Sequence, residues 1–185
     1  MFKKFEEKED VVSSTQLKSS VQKGIRQKIL ESYPILEDHL NDILPKKENF
    51  RTIKCKDHVE LLVGHDGMVN FIKIRNGPYF PTLRLLHKYP TMLPRQRVDK
   101  GAIKFVLNGS GIMCPGLTHP NAELLPGCAV ETIVSVHAEG KEHALAIGIM
   151  KMSSDDIKQV NKGIGIDNLH YLNDGLWRVT EKPMA

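Results

Sequence analysis

The hydrophobic pattern of this chain changes period near residue 50, and that switch restricts it to folds that mix helices with sheet. Before it, Leu17, Val21, Ile25 and Ile29 recur at i+4, with Leu30 thickening the stripe. Lys18, Lys23, Arg26 and Lys28 fall largely off that face, so an amphipathic helix is expected over 14–31. Tyr33-Pro34 breaks it, and the proline can open a second helix carrying Ile35, Leu36, His39, Leu40, Ile43 and Leu44, which stops at Pro45. After a polar link at 46–49 the period becomes two. Ile53 and Cys55 alternate with Lys54 and Lys56, then Val59, Leu61 and Val63 alternate in turn. His65-Asp66-Gly67 reads as a turn and Val69–Ile74 as the returning strand. Asn76-Gly77-Pro78 is a second turn, and Pro81-Thr82 starts a short helix, Leu83–His87. Helices followed by a meander give an α+β domain over 1–92.

The rest is strand-rich. Pro90 and Pro94 bracket a linker, and Asp99 can cap a short helix reaching about Lys104. Ile112–Cys114, Ala129–His137, His143–Met150 and Leu169–Leu172 read as strands, with a hairpin signal at residues 138–142. Ser153-Ser154-Asp155-Asp156 marks a helix start, and residues 161–166 read as a loop. Short strands and glycine turns over 93–175 suit a small, partly closed barrel, leaving 176–185 as a C-terminal tail.

The segment Val98–Leu117, VDKGAIKFVLNGSGIMCPGL, carries the strongest binding signal. Glycines at 109, 111 and 116 let the backbone pass close to a partner or turn tightly, and Lys100 and Lys104 stand just upstream. That pairing favours a phosphate-bearing partner, RNA first. The full GxGxxG and GxxxxGK[ST] patterns are absent, which disfavours dinucleotide binding and nucleotide hydrolysis.

Other chemistry is weakly supported. The net charge is only +4, and all of it lies in residues 1–92, with 16 Lys/Arg against 12 Asp/Glu; 93–185 holds 10 of each. Three widely spaced cysteines, Cys55, Cys114 and Cys128, fit neither a zinc site nor a disulfide framework. Eight histidines show no ligand spacing, so no metal or other cofactor is expected. Ser110 has no GxSxG context, and Cys114 reads as an inert buried thiol. Eleven aromatics offer no evident platform for single-stranded bases, and Trp177 is expected to seal the barrel. No apolar run approaches the ~20 residues that span a bilayer. The mixed charges of Met1–Asp10 exclude a secretory signal, so a cytoplasmic protein is expected.

Residues 94–172 resemble a PUA domain, the small pseudo-barrel named after pseudouridine synthases and archaeosine transglycosylases. Asp99-Lys100-Gly101-Ala102, Val106, Gly109, Met113 and Pro115-Gly116 carry the likeness, with Ala138-Glu139-Gly140 and Ala146-Ile147-Gly148. The whole chain is similar to the malignant T-cell-amplified sequence family. The matching words are MFKKF at 1–5, PTLRLLHKYP at 81–90, VDKGAIKFVL at 98–107 and IMCPGLT at 112–118. AEGKEHAL at 138–145, NKGIGI at 161–166 and HYLNDGLW at 170–177 complete them. His119-Pro120 departs from the Ser-Pro expected there.

The resemblance implies an N-terminal α+β domain followed by a PUA pseudo-barrel, and no enzymatic activity. It implies a heterodimer with density-regulated protein that binds the small ribosomal subunit, acts on tRNA after termination and supports recycling and reinitiation. By position in the PUA motif, Lys100, Gly101, Lys104, Asn108, Gly109, Ser110 and Gly111 are the expected RNA contacts. Arg84, His87 and Lys88 are expected either to face the ribosome or to form an interdomain seam. An RNA-modifying enzyme or its accessory is the rival class, because PUA domains often accompany such enzymes. The N-terminal half offers it no catalytic-aspartate context and no methyl-donor glycine motif.

Overall fold

The computed structural model describes residues 1–185. Ten strands divide into two five-stranded sheets, β1 to β5 in chain order and β6-β8-β9-β10-β7. The first sheet comprises β1 (Val11–Gln16), β2 (Arg51–Cys55), β3 (Val59–Val63), β4 (Val69–Ile74) and β5 (Phe80–Pro81), every neighbouring pair antiparallel. The expected turn between β3 and β4 holds. Gly67 sits at φ +79°, and Asp66 Oδ1 accepts from the Met68 N–H at 3.0 Å.

Helix α1 (Glu7–Asp10) precedes β1, and α2 (Ser19–Ser32) follows it. The helix presents Gln22, Ile25 and Ile29 inward, whereas Val21 is 46% exposed. The expected helix over 14–31 thus starts later, because 11–16 is an edge strand. The second expected helix is reduced to a 3-10 turn at Pro34–Leu36 and a single turn, α3 (Leu40–Ile43). Its Leu36, Leu40, Ile43 and Leu44 are still buried with Ile29, Leu61 and Phe71. Helix α4 (Leu83–Lys88) is capped by Thr82, whose Oγ1 accepts from Leu85 N–H at 3.3 Å.

In the second sheet β6 (Arg95–Val98) runs parallel to β8 (Ile133–Ala138); the other pairs are antiparallel. Between β6 and β8 come a 3-10 turn (Lys100–Ala102), α5 (Ile103–Val106), β7 (Ile112–Met113) and α6 (Cys114–Thr118). Cys114 opens α6 rather than closing a strand, since Pro115 suits the first turn of a helix. After β8 come β9 (Ala146–Met150), α7 (Ser154–Val160), β10 (Ile164–Tyr171) and α8 (Gly175–Val179). β10 begins within the stretch expected as a loop. Val98, Val106, Val134, Ile157 and Ile166 anchor a core of its own.

The two domains are sewn together by both ends of the chain. Phe2 and Phe5 are buried, and the Gly175 N–H donates to the Phe2 carbonyl at 2.8 Å. Residues 176–185, expected as a tail, fold back onto the first domain. Leu176 and Met184 join its core, Met184 N–H donates to Gly67 O at 2.8 Å, and Arg51 Nη2 donates to Met184 O at 2.7 Å.

Candidate nucleic-acid interface

The second domain carries a cleft of about 480 Å³ built largely from the glycine-rich segment. Asp99 starts it. Its Oδ2 accepts from the Gly101 N–H at 2.9 Å, so the chain turns into α5 with Lys100 and Lys104 both outward. After α5 the backbone doubles back, with Gly109 N–H on Val106 O at 3.0 Å and Ser110 N–H on Phe105 O at 3.0 Å. Gly109 sits at φ +87°, and an added Cβ would lie 2.9 Å from Cε1 of the buried Tyr171 ring. Asn168 on β10 holds the loop from below, donating through Nδ2 to Val106 O at 3.1 Å and Ser110 O at 3.2 Å. Burial first, then the Asp174 carboxylate, pushes the Tyr171 hydroxyl above its ordinary pKa, so the ring stays neutral beneath the loop.

Gly101, Ser110 and Gly111 line the cleft beside Ala102, Phe105 and Ile164. Lys104 is exposed next to the lining Phe105, its Nζ 5.0 Å from that ring's centre, and does not itself line the cleft. The Lys100 stem runs along the β8–β9 connection, its Cε 3.8 Å from where a Cβ on Gly140 would stand. Asn108 is exposed and accepts from Lys3 Nζ at 3.2 Å. Gly109 shapes the loop from behind and is not among the lining residues.

Sequence reasoning missed the apolar character of this site. Phe105 is 55% exposed and Met113 50%, with Leu107 and Ile164 also exposed. Phe105, Met113 and Ile164 line the cleft together. Exposed apolar side chains grouped around one concavity mark a binding surface rather than ordinary surface scatter. Phe105 supplies the aromatic face that composition did not reveal. The signal in the sequence was its place in a one-turn helix, which buries Val106 and leaves its neighbour outside.

Arg84 and His87 do not face outward; the seam is what forms. The Arg84 guanidinium stacks on Trp177 at 3.8 Å from the ring centre, and its Nη2 donates to Trp177 O at 2.9 Å. His87 Nε2 lies 2.9 Å from Ala144 O, and its ring packs against His143 and Trp177. Lys88 alone of the three is exposed. Trp177 therefore does not seal the barrel: it packs against the first domain's core and closes the domain junction. His137 is buried beside Ser135, and His143 faces His87.

Comparison with known proteins agrees with this architecture. A Pre-PUA-like domain model matches residues 5–90, and a PUA domain model matches 94–172. The chain is 59% identical to human malignant T-cell-amplified sequence 2, over 97% of this chain and 98% of that protein. It belongs to the malignant T-cell-amplified sequence family. The Drosophila melanogaster homologue of the family's protein 1 is 57% identical, over 96% of this chain and 97% of that one. Among solved structures, a hypothetical protein from Pyrococcus horikoshii superposes with a TM-score of 0.70 at 26% identity, covering 91% of this chain and 99% of that one. A PUA-domain protein from Aeropyrum pernix shares the fold, with a TM-score of 0.66 at 18% identity, covering 92% and 91%. This family member is thus a PUA-domain RNA-binding protein with an N-terminal Pre-PUA domain. No helix in it is long and apolar enough to cross a membrane.

Proposed function

We propose that this chain is a non-enzymatic, cytoplasmic translation factor that pairs with density-regulated protein on the small ribosomal subunit. There it promotes tRNA release or recruitment after termination and supports recycling and reinitiation. Membership of the malignant T-cell-amplified sequence family supports the partner and the setting. The observation that carries the RNA reading is the apolar cleft with exposed Phe105 at its wall and Lys100 and Lys104 beside it. A terminal base of the tRNA acceptor end stacks on Phe105, and the lysines meet its phosphates. Gly101, Ser110 and Gly111 let the backbone approach, while Asn108 and Gly109 complete the loop. Of the basic helix residues, Lys88 remains a candidate for ribosomal RNA.

The test is binding of an RNA carrying the acceptor end, alone and with the partner on small subunits, across salt. Phe105→Ala removes a stacking face and is expected to weaken the RNA roughly tenfold. Lys100→Glu with Lys104→Glu is expected to lower both affinity and its salt dependence. Unchanged acceptor-end binding in both variants, with the fold intact, sinks the cleft assignment.

A further inference from the structure

Lys3, Lys4 and Arg178 line a second concavity of about 540 Å³ beside the domain junction. Glu6 is its one acidic lining residue, and Phe5 and Val179 are its only apolar ones. None of the three cations takes part in an ion pair. All three are exposed, yet the backbone that presents them is fixed. Phe2 and Phe5 anchor the turn that carries Lys3 and Lys4: the Phe5 N–H donates to the Phe2 carbonyl at 3.3 Å, and the two rings sit edge to face at 5.8 Å. Asp174 caps α8 by accepting from Trp177 N–H at 2.7 Å, and Arg178 Nε donates to the Asp174 carbonyl at 3.3 Å. Charges held on an ordered backbone bind without the cost of ordering a loose terminus.

This concavity adjoins the cleft. Lys3 Nζ donates to Asn108 Oδ1 at 3.2 Å, and Asn108 belongs to the loop that carries Ser110 and Gly111 into the cleft wall. Residues 93–185 carry no net charge in sequence; the junction adds two lysines from near the amino end to the rim of the second domain. A polar, cationic hollow with almost no apolar anchor suits a phosphodiester backbone better than a peptide, which needs side-chain pockets.

We propose that Lys3, Lys4 and Arg178 form a second RNA subsite that grips the phosphates of the nucleotides leading to the end held in the cleft. The inference rests on the RNA reading of that cleft. It makes the chain-terminal junction part of the binding surface, so the ligand is a strand longer than the cleft alone accommodates.

Two RNAs separate the subsite from the cleft: an oligonucleotide of about four nucleotides with the acceptor-end sequence, and a hairpin ending in the same overhang. Anisotropy titrations across salt would compare the wild-type chain with Lys3→Gln/Lys4→Gln/Arg178→Gln. The oligonucleotide is expected to bind both proteins equally. The hairpin is expected to bind the variant at least tenfold more weakly at low salt, with a salt slope reduced by roughly 2. Lys3→Arg/Lys4→Arg keeps the charge and is expected to keep wild-type hairpin affinity. Equal hairpin affinity and slope in wild type and triple variant overturn the subsite, as does an equal loss of the oligonucleotide. Failure of wild type to bind the oligonucleotide at all sinks the cleft reading instead.

Discussion

Gly109→Ala tests the geometry of the binding loop most directly. Two costs add there. The backbone at φ +87° disfavours any side chain by ~1–2 kcal/mol. The new methyl would also sit 2.9 Å from Tyr171 Cε1, 3.1 Å from its Oη and 3.2 Å from its Cζ. Tyr171 is buried in the second core and has nowhere to retreat, so overpacking adds roughly 1–3 kcal/mol. Gly127→Ala isolates the first cost: Gly127 has φ +78°, and a Cβ there meets nothing within 4 Å. Urea unfolding followed by far-UV circular dichroism and by Trp177 fluorescence would compare the two. Gly109→Ala is expected to lose about 3 kcal/mol and Gly127→Ala about 1 kcal/mol. Losses equal to within about 0.5 kcal/mol would show that the Tyr171 ring does not support the loop as described.

The domain junction and a buried histidine yield two further predictions. Arg84→Ala removes both the stack on Trp177 and the bond to its carbonyl. It should destabilise the junction by about 2 kcal/mol and shift Trp177 emission to the red; Arg84→Lys should not rescue it, because a planar guanidinium is needed. Rescue by lysine would show that charge alone matters. Burial first, and then the nearby Arg95 guanidinium, pushes His137 from 6.5 down to about 4. The unfolded chain therefore binds more protons between those pH values, and stability falls as pH drops from about 6.5 to about 4, by about 3 kcal/mol in all. His137→Gln should flatten that part of the profile, and an unchanged slope in thermal melts across the window would refute the assignment.

The meander β2–β4 was legible because Ile53, Cys55, Val59, Leu61 and Val63 keep a period of two, although Thr52, Leu62 and Phe71 on the opposite face are buried as well. β1 was not: all but its first residue are exposed, so it carries no alternation, and Leu17 and Val21 happen to extend the helical spacing of Ile25 and Ile29. β6 was hidden for the opposite reason. Its inward position is taken by Gln96, wholly buried, whose Oε1 accepts from Leu125 N–H at 2.8 Å and whose amide approaches Cys128 Sγ. A polar residue satisfied by distant partners looks like linker in sequence. In the binding segment, the turn at Gly109 and the cap at Asp99 followed from local rules. Asn168 did not, because its role depends on pairing across 62 residues to Val106. Nor did the turning of Arg84 inward, which requires α8 to return from the far end of the chain.

The return of residues 176–184 sets the order of synthesis against the order of completion. A chain emerging from its amino end delivers all of β1 to β5 before the side chains of Leu176 and Met184 exist to fill the core beneath them. The second domain suffers no such wait, since Val98, Val134 and Ile166 belong to a cluster wholly made of its own residues. During translation the part made first is therefore completed only after residues 176–184 have been made, because Leu176 and Met184 belong to its core.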